Sequence, residues 1–382
     1  MGYVAVRGGG RAIEESLKLL EYERVSASSA WGTDEIEGTF PELVDQVMGE
    51  ASLYAPRLAA LALKQAQGSP DEAVFLLRAF RSTLERPYVS RTVDTGRMRV
   101  ARRVSAAFKD VPGGQMLGST RDYSHRLLAF DLETEGEEEL TEKRAELAAH
   151  FDDAAAPAHS AILPRVLDYL RGQGLIAKVA NDDAPPVDAT MAPLTFPAPR
   201  SVRLQTLARG MTQAVEALGY AAIRGFGPAH PTVGELRAGR VDVAVDHPLE
   251  AGGPEDAYYL GSIPVTEVES VFMAERGEGA DGAPSGAPDA DGLSLAVGYG
   301  LVLGRAETKA IAMSVLDRCL ELGDKRYPTE DEEFVLYHVD GVEATGFISH
   351  LKLPHYVTFQ SKLSSVRGTR EEGKESPDAA AL

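Results

Sequence analysis

Helix-forming and strand-forming segments are unevenly distributed along this chain of 382 residues. Four segments with apolar residues at helical spacing lie before Pro87, over residues 12–24, 41–53, 56–66 and 69–84. The last has Ser69 as its N-cap, Pro70 at its first position and Glu72 three residues after the cap. Later segments are shorter, with strands and helices at irregular intervals. Because a doubly wound sheet needs regular strand–helix alternation, the sequence predicts an α+β fold, with a helical N-terminal part and a mixed α/β C-terminal part.

Changes of composition divide the chain into four predicted units. Residues 1–130 form an N-terminal α+β domain, and residues 200–368 form a C-terminal α+β domain that carries a pair of histidines. Residues 131–199 are acidic and then rich in proline and alanine, which indicates a linker lobe. The polar residues 369–382 predict a disordered tail, and the Gly/Ala/Pro/Asp-rich residues 276–292 predict a flexible loop.

The composition excludes several classes of protein. A net charge of −19 argues against a free-standing nucleic-acid binder, although a few local arginines can still hold one triphosphate. The single cysteine, Cys319, excludes an internal disulfide and an iron–sulfur cluster held by this chain alone. No signal-peptide core and no apolar run of about 18 residues is present, so we expect a cytoplasmic protein that does not enter the membrane.

Two glycine-rich stretches are candidates for phosphate contacts. Gly8 and Gly9 lie between a predicted strand and a predicted helix, where backbone N–H groups can cradle an anion or simply permit a sharp turn. The stretch GGQMLGST, residues 113–120, has the glycine spacing of a P-loop, but Ser119 occupies the position of the essential lysine. We therefore expect this second stretch to be a turn that contacts some other polar group.

A cluster of basic residues follows the helical part: Arg97, Arg99, Arg102, Arg103 and Lys109. In an alternating strand, residues 97, 99 and 103 would share one face and residue 102 would lie on the other. This pattern fits a solvated strand face or a contact to an acidic partner. It also fits a clamp for a triphosphate, because guanidinium groups bind phosphate through paired hydrogen bonds.

His350 and His355 bracket the sequence LKLP near the end of the chain. In one helix their side chains would diverge by roughly 140°. However, Pro354 disfavours helical conformation at Leu353, and a bend there would let both rings converge. The pair could be metal ligands, a proton-transfer pair or unrelated surface imidazoles. Two histidines supply only half of a tetrahedral zinc shell. His338 could add a third ligand, or it could equally be an exposed histidine on a helix face.

Several long segments together resemble one family. YVAVRGG, LALKQAQGSPDEAVFLLRAFRSTL, RRVSAAFKDVPGGQMLG, DYSHRLL, DEEFVLYH and GFISHLKLPHYVTFQSKL are similar to PhnI, a subunit of the bacterial carbon–phosphorus lyase core complex. The resemblance covers most of residues 2–366. The acidic linker, the tail and the loop at 276–292 are departures from it.

The resemblance implies an activity. The family's complex displaces adenine from C1′ of ATP with an alkylphosphonate, which gives ribose 1-methylphosphonate 5-triphosphate, and the isolated subunit is a purine nucleosidase on ATP or GTP. The implied partners are the G, H and J subunits and the ATP-binding-cassette-like K and L subunits, with two copies of this chain per complex. The J subunit carries the iron–sulfur cluster. In the family the pair that matches His350 and His355 binds zinc at the interface with J.

Cleavage of an N-glycosidic bond develops positive charge on the ribose and negative charge on the purine. Such a site needs carboxylates near the ribose and a proton donor near the base. We assign Asp331, Glu332 and Glu333 to the first role and His125 to the second, with Gly8, Gly9 and the basic cluster as triphosphate contacts. The three acidic residues would equally well cap the helix that follows them.

Two other functions remain open. The chain could be a non-catalytic scaffold that organises its partner subunits. A self-contained metal hydrolase is disfavoured, because the ligand set is incomplete and no HExxH motif is present.

Overall fold

The computed structural model describes residues 9–26, 30–153, 161–176, 184–227, 231–249, 256–275 and 293–372. The α-helices found there are α1 (Gly9–Val25), α2 (Thr33–Thr39), α3 (Pro41–Ala51), α4 (Pro56–Gln65), α5 (Pro70–Arg81), α6 (Glu137–Asp153), α7 (Val166–Gly172), α8 (Arg200–Arg209), α9 (Thr212–Ala221), α10 (Glu307–Leu322), α11 (Glu332–His338), α12 (Gly341–Ser349) and α13 (Tyr356–Glu372). The strands are β1 (Arg99–Ser105), β2 (Ala161–Ile162), β3 (Thr232–Asp246), β4 (Ala257–Glu275) and β5 (Leu293–Leu303). The predicted α+β class is confirmed.

Helices α2 to α5 form a compact helical unit around a buried apolar cluster that includes Val47, Met48, Ala59 and Leu77. The predicted start of α5 is confirmed, because the Ser69 side chain accepts a hydrogen bond from the backbone of Glu72. Helix α1 also forms where helical spacing predicts it, but none of its residues is buried. The strand predicted at residues 3–7 lies outside the described residues.

The five strands form one antiparallel sheet in the order β2-β1-β3-β4-β5. Helix α10 packs closely on this sheet because β5 has glycines where the two elements meet. A side chain at Gly298 or Gly300 would collide with the backbone of Ser314 or Ala310 in α10. Met313 of α10 lies in this apolar core, where it packs with residues of α8, α9 and α11.

The sheet does not follow the predicted domain boundaries. Strand β1 comes from the predicted N-terminal domain and β2 from the linker lobe, and β1 pairs with β3 of the predicted C-terminal domain. Sequence composition could not show this pairing, because it joins segments more than a hundred residues apart. The units 1–130, 131–199 and 200–368 therefore share one sheet.

Two segments of the predicted units contain helices. The acidic part of the linker lobe contains the 17-residue helix α6, and α13 continues to Glu372, so residues 369–372 of the predicted tail are helical. Residues 373–382 and the loop at 276–292 lie outside the described residues. No helix in the described ranges is both long and apolar enough to span a membrane.

Candidate functional site

The two histidines converge at the bend between α12 and α13. His350 opens a single 3-10 turn, and Leu353 before Pro354 is extended, with φ −70° and ψ 140°. The bend predicted from Pro354 is therefore confirmed. The ring centroids of His350 and His355 lie 4.7 Å apart at an interplanar angle of 70°, and His355 Nε2 lies 3.2 Å from the carbonyl oxygen of His350.

The segment of the chain that contains the two histidines carries large apolar side chains that are exposed. Phe347 is 76% exposed and Leu351 67% exposed, and the same holds for further residues of the segment: Ile348, Leu353, Tyr356, Val357 and Phe359. Exposed apolar side chains in such number are typical of protein interaction surfaces. The histidine pair thus lies in a segment suited to contact with another protein.

Within the described ranges, no group of three or more His, Cys, Asp or Glu side chains could hold a metal ion. His338 does not join the pair: its Nδ1 lies 2.6 Å from the carbonyl oxygen of Phe334, and its ring packs on the Phe334 ring. Cys319 is buried inside α10, where burial raises the pKa of its thiol to about 12. Of the predicted metal-ligand candidates in the described ranges, His350 and His355 are the two that come together.

The four predicted catalytic residues occupy different environments. Asp331 is the N-cap of α11 and accepts hydrogen bonds from the backbone of Glu333 and Phe334, as the alternative interpretation expected. Glu332 accepts a hydrogen bond from the backbone of Ala198. Glu333 is exposed, and His125 is exposed in a segment without regular structure. The catalytic roles of these four residues stay predictions.

The side chains of Arg102 and Arg103 bind other groups of the same chain. Arg102 binds the carboxylates of Glu307 at 2.6 Å and Asp122 at 2.5 Å. The side chain of Arg103 is fully buried and donates to the carbonyl oxygens of Pro112, Gly114 and Pro164.

The second glycine stretch therefore contacts a polar group, as expected, and that group is the guanidinium of Arg103. Gly113 and Gly114 have φ angles of +80° and +79°, which lets the turn close around this side chain. At this turn the backbone carbonyl oxygens therefore accept hydrogen bonds from a cation, the guanidinium of Arg103.

The remaining basic residues are nearer the surface. Arg99 forms a two-bond contact with Asp242, whose pKa this contact lowers. Arg97 and Lys109 are exposed, and Arg97 lies in a 3-10 turn before β1. The prediction that residues 97, 99 and 103 share a strand face is wrong, because residue 97 precedes the strand and the β1–β3 register shifts between Val100 and Arg102. Gly9 starts α1 with φ +53°, and Gly8 lies outside the described residues.

A cavity of about 440 Å³ that sequence reasoning missed lies between residues 187–199 and helices α8, α11 and α12. Its polar lining includes Arg209, Thr206, Tyr337 and Asp340. These residues come from distant segments, so no local motif marks the cavity.

A second group that sequence reasoning missed is buried on the sheet. Glu267 of β4 is 3% exposed and accepts hydrogen bonds from Arg237, Thr95, Arg165 and Tyr299. Burial alone would raise the pKa of Glu267, but the guanidinium groups of Arg237 and Arg165 outweigh it and lower the pKa. The network ties three strands to the segments before β1 and α7.

The comparison with known proteins agrees with the resemblance. Residues 2–373 match the family described as bacterial phosphonate metabolism protein (PhnI). The alpha-D-ribose 1-methylphosphonate 5-triphosphate synthase subunit PhnI of Rhizobium meliloti (strain 1021) is 43% identical over 97% of this chain and 95% of its own length. The subunit of the same name from Escherichia coli (strain K12) is 42% identical over 97% of this chain and 99% of its own length. The chain belongs to the PhnI family of bacterial phosphonate metabolism proteins.

Proposed function

We propose that this chain is the I subunit of a complex that displaces adenine from C1′ of ATP with methylphosphonate. A phosphonate oxygen forms the new bond to C1′, the C1′–N9 bond breaks, and the departing adenine takes up a proton. The product is ribose 1-methylphosphonate 5-triphosphate. Both relatives are named as subunits of the synthase that makes this compound, and they match nearly the whole chain.

In the absence of its partners, water replaces the phosphonate and the chain acts as a purine nucleosidase on ATP or GTP. The partners in this proposal are the G, H and J subunits and the K and L subunits, with two copies of the chain per complex. The reaction takes place in the cytoplasm.

The observation that carries the assignment of a site is the convergence of His350 and His355. Zinc-bound histidines commonly donate their second ring N–H to a backbone carbonyl, and the contact between His355 Nε2 and the His350 carbonyl has this form. The chain supplies two ligands, and the exposed apolar segment around them fits a partner subunit that supplies the others. When bound, zinc would act as a Lewis acid toward an oxygen of the phosphonate or phosphate groups.

The chain's other candidates take separate roles. Glu333 is exposed and its carboxylate would stabilise the positive charge on the ribose, whereas Asp331 and Glu332 position the start of α11. His125 is the proposed proton donor to the departing base. Within the basic cluster, Arg97 and Lys109 are exposed and Arg99 is half-buried and paired with Asp242. These three would meet the triphosphate, because Arg102 and Arg103 have internal partners.

A scaffold function is the second candidate. It is favoured by a further exposed apolar segment, which contains Tyr123, Leu127, Leu128, Phe130 and Leu132. A subunit that only organised its partners would need such surfaces and no site of its own.

The test is liquid chromatography with mass detection of ATP incubated with the chain alone, and of ATP with methylphosphonate incubated with the chain and its partners. We expect free adenine in both, and ribose 1-methylphosphonate 5-triphosphate only in the second. A folded chain that releases no adenine, even with its partners restored, would contradict the catalytic proposal and leave the scaffold.

A further inference from the structure

The cavity beside α8, α11 and α12 is lined by a cation with unused hydrogen-bond donors, Arg209 at the end of α8. The one hydrogen bond that its side chain donates in the described part of the chain runs from Nη1 to the carbonyl oxygen of Ala189, at 2.8 Å. Its Nε is buried without a hydrogen-bond partner. Since an arginine carries five N–H donors and buried donors are normally satisfied, Arg209 can serve a further acceptor.

Two carboxylates line the same cavity, those of Asp340 and Glu343. Oδ1 of Asp340 accepts hydrogen bonds from Arg78 and from backbone N–H groups at the start of α12, whereas no described residue donates to its Oδ2. Burial raises the pKa of Asp340, but the guanidinium of Arg78 and the backbone N–H of Glu343 outweigh burial and lower it. The Asp340 carboxylate is therefore ionised at neutral pH and has an oxygen available for a donor.

Arg209 and Asp340 carry opposite charges near each other without forming an ion pair. Burial above all lowers the pKa of Arg209 to about 10, and Asp340 partly opposes this shift. Within a limit of 4.0 Å, the described partner of Asp340 is Arg78 and not Arg209. Arg78 also donates to the backbone carbonyl of Arg209, so it ties the end of α8 to the start of α12. The cavity is thus lined by a cation and an anion that do not neutralise each other directly.

The cavity has the size and the mixed lining of a small-molecule site. Its volume of about 440 Å³ is within the usual range for ligand pockets. Apolar side chains line much of it: Val187, Leu194, Val202 and Leu336. A simple anion would meet the two carboxylates as well as Arg209, and a simple cation would meet Arg209. An occupant with both charges and a small apolar part would instead match all three kinds of lining group.

We propose that this cavity binds an α-amino acid with an aliphatic side chain. Its α-carboxylate accepts hydrogen bonds from Arg209, its α-ammonium group donates to Oδ2 of Asp340, and its side chain packs against the apolar lining. The exposed Glu343 adds to the attraction for the ammonium group. Hydrogen bonds between charged groups are the strong ones, so the two ends of the ligand supply most of the specificity. The site is separate from the histidine pair, and its occupancy does not depend on the proposed transfer reaction.

Calorimetric titration of the full chain with L-leucine tests this site. The wild-type chain should bind, and Arg209→Met should weaken binding by about tenfold or more, because a charge-assisted hydrogen bond is lost. Arg224→Met is the matched control: Arg224 is exposed and does not line the cavity, so binding should be unchanged. Equal affinity in wild type and Arg209→Met, or no binding to the wild type, would overturn the proposal.

Two analogues of leucine test each charge separately and keep the test decisive if Arg209→Met fails to fold. Leucinamide lacks the carboxylate, and 4-methylpentanoate lacks the ammonium group. At about pH 6.5, where an α-amino group is protonated, each should bind the wild-type chain about tenfold or more weakly than leucine. Leucinamide with the affinity of leucine would contradict the contact with Arg209. The same result for 4-methylpentanoate would contradict the contact with Asp340.

Two further measurements locate the ligand. Ala192→Trp introduces an indole from an exposed lining position and leaves Arg209 in place, so it should block leucine binding sterically. Undiminished binding in this variant would place leucine elsewhere and contradict the proposal. An excess of methylphosphonate should leave leucine binding unchanged, and displacement of leucine would contradict a separate amino-acid site. Failure of adenine release would leave all these results unaffected.

Discussion

Arg78 and Asp340 are 262 residues apart in sequence and form an ion pair of 2.9 Å. The other nitrogens of Arg78 donate to the carbonyl oxygens of Glu50 and Arg209. One side chain therefore joins the end of α3, the end of α8 and the start of α12. This contact fixes the N-terminal helices to the helices that lead to the histidine pair.

Replacement of Arg78 should destabilise the whole chain. Arg78→Met leaves the Asp340 carboxylate partly buried without its cation, and we expect a loss of about 3 kcal/mol in the free energy of unfolding. Urea denaturation measures it. Arg121→Met is the control, because Arg121 and Glu42 form an exposed pair whose loss should cost about 0.5 kcal/mol or less. Equal losses of unfolding free energy in the two variants would contradict the conclusion that Arg78 joins α3, α8 and α12.

The buried Glu267 predicts a dependence of stability on pH. Its pKa in the folded chain is lower than the ordinary value of 4.5, so the ionised carboxylate stabilises the fold at and above that pH. This contribution should disappear as the pH falls through the lowered pKa. Unfolding free energies measured between pH 6 and the acid limit should fall less steeply in Glu267→Gln than in the wild type. Parallel curves would show that Glu267 is not held ionised by Arg237.

The close packing of α10 on β5 predicts a steric effect. Gly298→Ala places a methyl group against the backbone of Ser314, and overpacking of this kind should cost about 2 kcal/mol or more. Gly38→Ala in α2 meets open space and should be neutral or slightly stabilising. Thermal unfolding of both variants checks the difference. A Gly298 variant as stable as the wild type would mean that α10 lies farther from the sheet.

The basic cluster should divide into structural and surface members. Arg103→Met removes a buried guanidinium and leaves the carbonyl groups of Pro112 and Gly114 without a donor, so the melting temperature should fall. Arg97→Met should leave the melting temperature unchanged, because Arg97 is exposed, and raise the KM for ATP if the triphosphate proposal is correct. An unchanged KM in a folded Arg97 variant would remove Arg97 from the triphosphate contacts.

Local signals in the sequence predicted local structure well. Ser69, Pro70 and Glu72 marked the start of α5, and Pro354 marked the bend that brings His350 and His355 together, because each effect depends on neighbouring residues. The family resemblance was likewise carried by contiguous segments.

Features that depend on distant partners could not be predicted. The cluster at Arg102 and Arg103 suggested a phosphate clamp because its partners, such as Glu307 and Pro164, lie far along the chain. The cavity at Arg209 and the network of Glu267 are likewise assembled from several segments. The pairing of β1 with β3, which belong to different predicted units, could not be foreseen either, since composition reports nothing about which strands are neighbours.

Zinc content tests the assignment of the histidine pair most directly. Elemental analysis should be made on the complex that contains this chain, as wild type and as His350→Ala, His355→Ala and His338→Ala. His338 is the control, because it lies on α11 and contacts Phe334 rather than the pair. We predict that the first two variants lose one zinc ion per copy of this chain relative to the wild type and that His338→Ala retains it. Wild-type zinc content in both His350→Ala and His355→Ala would contradict the proposed metal site.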